Sequence, residues 1–321
     1  MAKFSNILLF CDANIEQSTA IKRAAELAND NQAALTVCAI VDAVPSKLHT
    51  AITVVTPAEL IDIAVTEQRR WLEQTLKNVI GDGVTIEIKI LVGKPYIEVI
   101  RQVLKSDHDL VIKCADRDTG LRTVLFGGTD MNLLRNCPCP VWIVKSTENQ
   151  QTRRILAAVD QDPEDPAKDD LNRQILEIST SLASAQSREL HIIHAWSLFG
   201  ESYLRSPGAR LSHAEVDEMV AGVGRKRENW LENLVQHYAT KADEEAIESI
   251  APQRYVIKGD AKQIVPLKAR ELDVDLVVMG TVARTGINGF IMGNTAESIL
   301  TQLDCSVLTV KPSEFISPIT L

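Results

Sequence analysis

The chain contains one segment twice. Residues 110–145 and 276–311 align without a gap at a constant offset of 166 residues. A duplication of this kind predicts two domains with the same fold, and a length of 321 residues suits two cores of about 150–160 residues each. The polar, aperiodic segment 146–152 predicts the linker, so we expect domains at residues 1–147 and 153–313. Matched residues in the two copies include Gly120 and Gly286, Gly127 and Gly293, Thr129 and Thr295, Leu134 and Leu300, Cys139 and Cys305, Val141 and Val307, and Val144 and Val310.

The composition favours a soluble, cytoplasmic protein. Hydrophobic residues make up 45% of the chain and charged residues 24%, which is ordinary for a globular protein. No apolar run approaches the ~20 residues that span a bilayer, and the start of the chain lacks a signal-peptide pattern. Six cysteines without paired spacing fit a reducing compartment. A net charge of −9 argues against direct nucleic-acid binding but leaves room for one small anionic ligand held by main-chain groups.

In both halves, short apolar runs alternate with amphipathic helical patterns. This order predicts parallel α/β sheets that are covered by helices on both faces. Five predicted strands per half suit a doubly wound, flavodoxin-like or Rossmann-like sheet, in which ligands bind beyond the carboxyl ends of the strands. Predicted strands cover residues 6–11, 34–40, 84–91, 110–112, 140–144, 154–159, 189–194, 254–258, 276–279 and 307–310. Predicted helices cover residues 15–29, 57–78, 93–105, 169–185, 212–238 and 261–271.

One aspartate precedes the fourth predicted strand of each half. Asp109 and Asp275 occupy equivalent positions of the repeat. They fall at the amino end of the strand, away from the edge where ligands bind in such sheets. We therefore expect both carboxylates to cap or pair within the turn.

The strongest candidate for chemistry is the glycine-rich loop that follows Met279. Its glycines, Gly280, Gly286, Gly289 and Gly293, would let main-chain N–H groups approach phosphate oxygens without a clash with Cβ. A helix predicted to begin near Thr295 would point its unpaired N–H groups at the same place, and Arg284 would add charge-assisted contacts. The alternative is a turn that merely reverses the chain. The loop is neither a Walker A motif nor a dinucleotide fingerprint.

With these residues, the chain resembles the universal stress protein family over essentially its whole length, twice, and in particular the tandem E-type members from enteric and related bacteria. Nucleotide-binding members carry Gly-x-x-Gly after a strand, then nine residues, then Gly followed by Ser or Thr. Here the four positions hold Gly280, Ala283, Gly293 and Asn294. Two positions of the motif are therefore substituted, each by a small residue.

The resemblance implies a nucleotide site in the second copy. The family places an Asp at the end of its first strand, matched by Asp160, which could also hold Mg²⁺ beside bound phosphates. Its adenine contact comes from the main chain after the second strand, matched near Ala195. The expected ligand is ATP or a related nucleotide. The expected binding residues are Asp160, Ala195, Gly280, Thr281, Ala283, Arg284, Gly293, Asn294 and Thr295.

The resemblance also implies an assembly. Family members pair through their last strand, and tandem members do so within one chain. Residues 141–144 and 307–310 would then meet, forming an intramolecular pseudo-dimer that covers two apolar edges. Association of two such chains into a further homodimer stays open.

The first copy departs from the binding pattern. Cys114 and Arg117 stand at the positions of Gly280 and Ala283, and two carboxylates, Asp116 and Asp118, flank the arginine. These carboxylates would repel a phosphate unless Arg117 neutralised them. We expect this copy to have lost nucleotide binding, and Asp12, the counterpart of Asp160, to be structural.

Three further features have both a functional and a structural interpretation. Cys11 and Cys114 end neighbouring predicted strands, so they form a metal or thiol site or are two small buried hydrophobic residues. His194 lies near the carboxyl end of its strand and is a candidate to line the pocket. Residues 199–210 are rich in Gly, Ser, Pro and aromatic residues, and they predict either a lid or an ordinary surface loop.

The function implied by the resemblance is that of a stress-response binding protein, including resistance to DNA-damaging agents, that acts through unidentified protein partners. No nucleophile elbow, metal-ligand cluster or paired-carboxylate site stands out, so a dedicated enzyme is not expected. Two alternatives remain. One is a slow, Mg²⁺-dependent ATPase that uses Asp160 and Arg284. The other is a sensor or carrier of another phosphorylated metabolite, such as a nucleotide sugar.

Overall fold

The computed structural model describes residues 4–43, 56–80, 85–116, 128–145, 153–161, 166–185, 187–239, 250–284 and 290–321. The strands are β1 Asn6–Cys11, β2 Ala34–Val41, β3 Ile86–Val92, β4 Leu110–Cys114, β5 Val141–Val144, β6 Arg154–Ala158, β7 Glu189–Trp196, β8 Gln253–Lys258, β9 Leu276–Gly280, β10 Val282–Arg284, β11 Phe290–Met292 and β12 Ser306–Val310. The helices are α1 Ser18–Asn31, α2 Pro57–Ile80, α3 Pro95–Ser106, α4 Gly128–Asn136, α5 Pro166–Ala185, α6 Glu201–Leu204, α7 His213–Ala239, α8 Ala261–Glu271 and α9 Asn294–Leu300, with a 3-10 turn at Pro207–Ala209.

The predicted strands and helices are confirmed, with ends that differ by at most three residues. The pattern found them because the central strands are buried on both faces, while the helices are buried on one. β4, β5 and β12 are buried at every position, as parallel or central strands are in α/β proteins. The pattern missed the short elements α4 and α6, the 3-10 turn and the ribbon of β10 and β11. Within the described residues, no helix has the length and apolarity to cross a membrane.

The chain divides into two compact units, and the division does not follow the repeat. The amino-terminal unit comprises Lys3–Gln151, Thr281–Gly293 and Asp304–Leu321. The carboxyl-terminal unit comprises Met1–Ala2, Thr152–Gly280 and Asn294–Leu303. The ribbon and the last strand of the second copy thus belong to the unit built on the first copy. The expected domain boundaries remain a prediction.

The amino-terminal unit orders its strands β3-β2-β1-β4-β5-β12. Strands β1 to β5 are parallel. Their order, 3-2-1-4-5, is that of a doubly wound, Rossmann-like sheet. The order reverses between β1 and β4. The carboxyl-terminal unit orders its strands β9-β6-β7-β8, which are also parallel, with the reversal between β6 and β9. The predicted α/β class is confirmed.

Strand β12 pairs antiparallel with β5 inside the amino-terminal unit. The register sets Val307 opposite Ile143 and Leu308 opposite Trp142. These side chains are buried, so the pairing covers the apolar edge that β5 would otherwise expose. The expected meeting of residues 141–144 with 307–310 is confirmed, whereas the wider pseudo-dimer remains a prediction.

Each of the two repeated aspartates accepts hydrogen bonds from main-chain N–H groups at the amino end of the sheet. Asp109 accepts hydrogen bonds from the N–H groups of Ser5 (2.6 Å) and Asn6 (3.0 Å). Asp275 accepts from the N–H groups of Arg153 (2.7 Å) and Arg154 (2.9 Å). The expectation that both carboxylates cap or pair within their own turn is therefore wrong: their partners lie at the start of the neighbouring strand, β1 or β6.

Asp275→Ala should lower the free energy of unfolding by about 1–3 kcal/mol, because two main-chain N–H groups lose a charged acceptor. Urea titration followed by circular dichroism measures the loss. Asp275→Asn is the control, since its amide oxygen still accepts, and it should lose less than half as much. Equal losses for the two variants would contradict the prediction.

Candidate functional site

The switch point of the carboxyl-terminal unit lies between β6 and β9. Ala158, the last residue of β6, pairs with Met279 of β9 on one side and with Ile193 of β7 on the other. The residues that follow Ala158 and Met279 therefore lie side by side at the edge where doubly wound sheets bind ligands. Strand β7 continues beside β8 as far as Trp196, so Ala195, which the sequence placed after the strand, lies within it. Predicted site residues at this edge are Asp160, Ala195 and Gly280.

Asp160 is held by a side-chain clamp from α5. The amide oxygen of Asn172 accepts the N–H of Asp160 (3.0 Å), and its amide nitrogen donates to the carbonyl oxygen of Asp160 (2.6 Å). Asn172 is 2% exposed, whereas Asp160 is exposed. The clamp thus fixes the main chain of Asp160, a residue that is itself exposed at this edge.

The first copy has one of these two hydrogen bonds. The side-chain amide of Gln17 donates to the carbonyl oxygen of Asp12 (2.7 Å), while the carboxylate of Asp12 accepts both the N–H and the side-chain amide of Asn14 (2.9 Å each). This engagement fits the expected structural role of Asp12. Sequence reasoning missed Asn172 and Gln17. The available signal was a polar side chain on the buried face of α5 for Asn172 and at the position just before α1 for Gln17.

His194 is a buried residue of β7 and contacts Val159, the residue before Asp160. Its Nδ1 is 3.2 Å from the carbonyl oxygen of Val159, and its ring centre is 4.9 Å from that of Trp230. Burial lowers the pKa of His194, although the contacts with Val159 and Asp160 oppose the shift. A neutral ring that meets a carbonyl oxygen must carry its proton on Nδ1. His194 is 2% exposed, so its side chain packs inside the protein behind the candidate site.

The glycine-rich loop is an ordered ribbon at both of its ends. Ala283 of β10 lies opposite Ile291 of β11, and Arg284 lies opposite Phe290. The N–H of Gly293 donates to the carbonyl oxygen of Thr281 (3.0 Å). The N–H of Gly293 thus closes the ribbon, and the binding role of the loop remains a prediction. The side chains of Ala283 and Arg284 and all of residues 285–289 lie outside the described residues.

Thr281 is buried and its hydroxyl is engaged. Its Oγ1 accepts from Lys311 Nζ (3.1 Å), and the threonine is 1% exposed. Lys311 also donates to the carbonyl oxygens of Leu134 and Arg135 at the end of α4, and its Nζ lies 4.7 Å from the ring centre of Phe315. The side chain of Thr281 therefore serves packing, and only its main chain remains for a ligand.

Gly280 has a packing reason of its own. A Cβ at this position would lie 2.6 Å from Leu171 Cδ2, so glycine lets β9 approach α5 closely. The loop thus satisfies the structural interpretation without excluding the binding one. Asn294 and Thr295, the remaining predicted residues, begin the seven-residue helix α9, and both are exposed.

Residues 199–210 are anchored at the carboxyl end of β8 and on α7. Glu201 pairs with Lys258 (2.7 Å) and Arg205 (2.9 Å), and Arg205 also pairs with Asp217 (2.8 Å). Phe199 is 98% exposed. The segment is therefore a pinned surface excursion whose aromatic ring covers nothing.

Cys11 and Cys114 of the first copy lie on neighbouring strands and are buried. Burial raises the pKa of Cys11 well above its ordinary value and that of Cys114 to about 12, so both remain thiols. Among the described residues, no group of three or more His, Cys, Asp or Glu side chains could hold a metal. The geometry favours two small apolar residues. Arg117, Asp118 and Gly127 lie outside the described residues.

One cavity of about 230 Å³ lies elsewhere, between α7 and β8. Its mixed lining includes Arg254 and Glu232, whose charged atoms are 3.8 Å apart. Arg254 belongs to the start of β8, whereas the candidate site lies at the carboxyl ends of the strands. This cavity is therefore separate from the edge that carries Asp160.

Comparison with known proteins gives one family along both copies. The model described as "Universal stress protein family" matches residues 3–145 and 151–311. "Universal stress protein E" of Escherichia coli K12 is 28% identical, covering 100% of this chain and 98% of the relative. The Haemophilus influenzae homologue of that protein is 26% identical, covering 97% of this chain and 99% of the relative.

Solved structures agree with this family along the whole chain. A functionally unknown protein from Pseudomonas aeruginosa PAO1 is 25% identical with a TM-score of 0.67, covering 97% of this chain and 94% of that one. A universal stress protein from Archaeoglobus fulgidus is 16% identical with a TM-score of 0.60, covering 96% of this chain and 98% of that one, and shows the same fold.

Proposed function

Because the chain belongs to the universal stress protein family, we propose that its carboxyl-terminal copy binds ATP or a related adenine nucleotide. The protein acts as a ligand-responsive binding protein in the stress response and not as a dedicated enzyme. Nucleotide occupancy changes how it meets protein partners.

The observation that carries this proposal is the placement of Asp160. The residue is exposed at the switch point, while Asn172 fixes its main chain with two hydrogen bonds. The family resemblance assigns this aspartate to the nucleotide. A fixed carboxylate at the end of a first strand can accept a hydrogen bond from a ribose hydroxyl or ligate Mg²⁺. Ala195 lies near the carboxyl end of β7, opposite Ile257 of β8, and we propose that its main-chain groups contact the adenine.

The phosphate end of the site differs from the family pattern. The N–H of Gly293 is engaged with Thr281, so we propose that the phosphate contacts come from the main-chain N–H groups of Asn294 and Thr295. Asn294 stands where the family has a hydroxyl residue. A nucleotide with fewer phosphates, or another phosphorylated metabolite such as a nucleotide sugar, is the ligand to compare with ATP.

The direct test is calorimetric titration of ATP, with and without Mg²⁺, into the full chain and two variants. We expect one site per chain, with Asp160→Asn weakening the affinity at least tenfold, or about 1.4 kcal/mol. Asp12→Asn is the matched control, because it makes the same change at the equivalent position of the first copy, and it should leave binding intact. Two sites per chain, or equal losses in the two variants, would contradict the assignment.

Two further measurements separate the alternatives. Mass spectrometry of molecules released on denaturing the purified protein identifies the resident ligand, and a nucleotide sugar in place of ATP would favour the metabolite carrier. Phosphate release is measured at saturating ATP. Release by the wild type that is absent in Asp160→Asn would favour a slow ATPase. For the cellular role, survival after DNA damage should fall in a deletion strain and return with the wild-type gene but not with Asp160→Asn.

A further inference from the structure

A buried ion triad occupies the switch-point edge of the first copy. Lys113 Nζ lies 2.8 Å from Asp130 Oδ1 and also pairs with Asp116 Oδ1. The side chains of Lys113 and Asp130 are 1% and 0% exposed, and that of Asp116 is 23% exposed. Lys113 further donates to the carbonyl oxygen of Cys114 (2.8 Å) and faces the ring of Phe10 (5.7 Å). Three charges thus meet at the carboxyl end of β4, next to β1.

The second copy has no such triad. At the constant offset of the repeat, Lys113, Asp116 and Asp130 correspond to Met279, Val282 and Ala296. All three charges are therefore replaced together by uncharged residues. Burying an ammonium group and a carboxylate is costly unless each is paired, so the triad must act as a set.

Asp130 makes the contacts that proteins give to a bound anion. Its Oδ1 pairs with the Lys113 ammonium, and its Oδ2 accepts the N–H of Asp116, just beyond β4, at 2.8 Å. It lies in the first turn of the nine-residue helix α4. A cation, a main-chain N–H beyond a strand and the start of a helix are the groups that hold a phosphate or carboxylate ligand in α/β proteins.

The charges are present at neutral pH. Although burial opposes it, Asp130 and Asp116 raise the pKa of Lys113 above its usual value. Burial raises the pKa of Asp130 to about 6, against the lowering effect of Lys113. Near pH 7.5 the amine is therefore an ammonium and the carboxyl group a carboxylate.

We propose that the amino-terminal copy carries its own ligand, with the Asp130 carboxylate in the anion position and Lys113 as its countercharge. The Asp130 side chain takes the place that a bound anion would occupy, so this copy needs no external anion. The inference concerns the first copy alone, so it stands or falls independently of nucleotide binding by the second.

The test is anion rescue of Asp130→Ala in the full chain at pH 7.5. The variant leaves the ammonium facing a space of carboxylate size. Its thermal midpoint should fall by about 6–12 °C. Sodium formate should raise that midpoint by several degrees more than sodium chloride at equal ionic strength. The wild type should respond equally to the two salts.

Asp130→Asn is the matched control, because it fills the same space and keeps an acceptor for the Asp116 N–H. It should be destabilised without a specific response to formate. The proposal is overturned if formate and chloride act alike on Asp130→Ala, or if formate rescues both variants equally. If Asp130→Ala is insoluble, the yield of soluble protein after refolding is compared in formate and in chloride. A yield only in formate supports the proposal. Equal yields, or no soluble protein in either salt, overturn it.

Discussion

Lys113→Met should lower the free energy of unfolding by about 3–5 kcal/mol. Methionine is the residue at the equivalent position of the second copy, so side-chain size is nearly kept. The loss comes from Asp130, which is 0% exposed and would remain buried without its countercharge. Urea titration followed by tryptophan fluorescence at pH 7.5 measures the change.

The effect should depend on pH with a defined sign. In the variant the folded pKa of Asp130 lies above the unfolded value of about 3.9, because burial acts without the lowering effect of Lys113. Protonation then favours the folded state. This contribution is complete below the unfolded pKa and is lost as pH rises through the folded pKa. The difference between wild type and Lys113→Met should therefore narrow as pH falls from 7.5 toward 4.

A triple exchange is the control for this prediction. Replacing Lys113, Asp116 and Asp130 by Met, Val and Ala gives the first copy the residues of the second. Removing all the charges together should return the stability to within about 1 kcal/mol of wild type, since a buried ion pair contributes little over an apolar set of similar volume. A triple variant as unstable as Lys113→Met would show that packing, and not an unpaired charge, causes the loss.

Raising the pH from 8 to 10.5 should stabilise the wild type by up to about 3 kcal/mol relative to Lys311→Met. Burial lowers the pKa of Lys311 to about 8 from an ordinary value of 10.5. Between these values the unfolded chain binds a proton that the folded protein has released, so stability rises with pH. Below pH 8 the folded protein holds the buried charge, and the full cost of burial is present.

Comparing two proteins across pH isolates this one group. Cysteines, tyrosines and other lysines titrate in both proteins, so their contributions cancel in the difference between the urea unfolding free energies. Lys145→Met controls for removal of the repeat-related lysine, which donates to one carbonyl oxygen, that of Asp304, in an exposed setting. Parallel stability curves for wild type and Lys311→Met from pH 8 to 10.5 would contradict the prediction.

The sequence predicted the elements that depend on local pattern. Continuous apolar runs gave the strands, and the repeat gave the correspondence of Asp109 with Asp275 and of residues 141–144 with 307–310. The edge of the sheet followed from the rule that ligands bind at the carboxyl ends of parallel strands, whereas Asp160 and Ala195 came from the family resemblance. None of these inferences required knowledge of contacts between distant residues.

Tertiary contacts explain what the sequence did not predict. Asp116 was interpreted as repelling a phosphate, but its role depends on Lys113 and on Asp130, fourteen positions away at the start of a helix. The hydroxyl of Thr281 is engaged by Lys311 from another strand. The glycine-rich loop suggested an open chain, whereas the β-prone residues at its ends, Val282–Arg284 and Phe290–Met292, pair as a ribbon.

The position of β12 fixes when the first sheet can be completed during synthesis. β5 lies near the middle of the chain, but its antiparallel partner is Ser306–Val310. Lys311, which donates to the carbonyl oxygens at the end of α4, follows that strand directly. The amino-terminal sheet therefore lacks its last strand until residue 310 has been synthesised, 166 residues after Val144. Until then Val141–Val144 is an open apolar edge, the kind of surface that chaperones protect and that aggregation exploits.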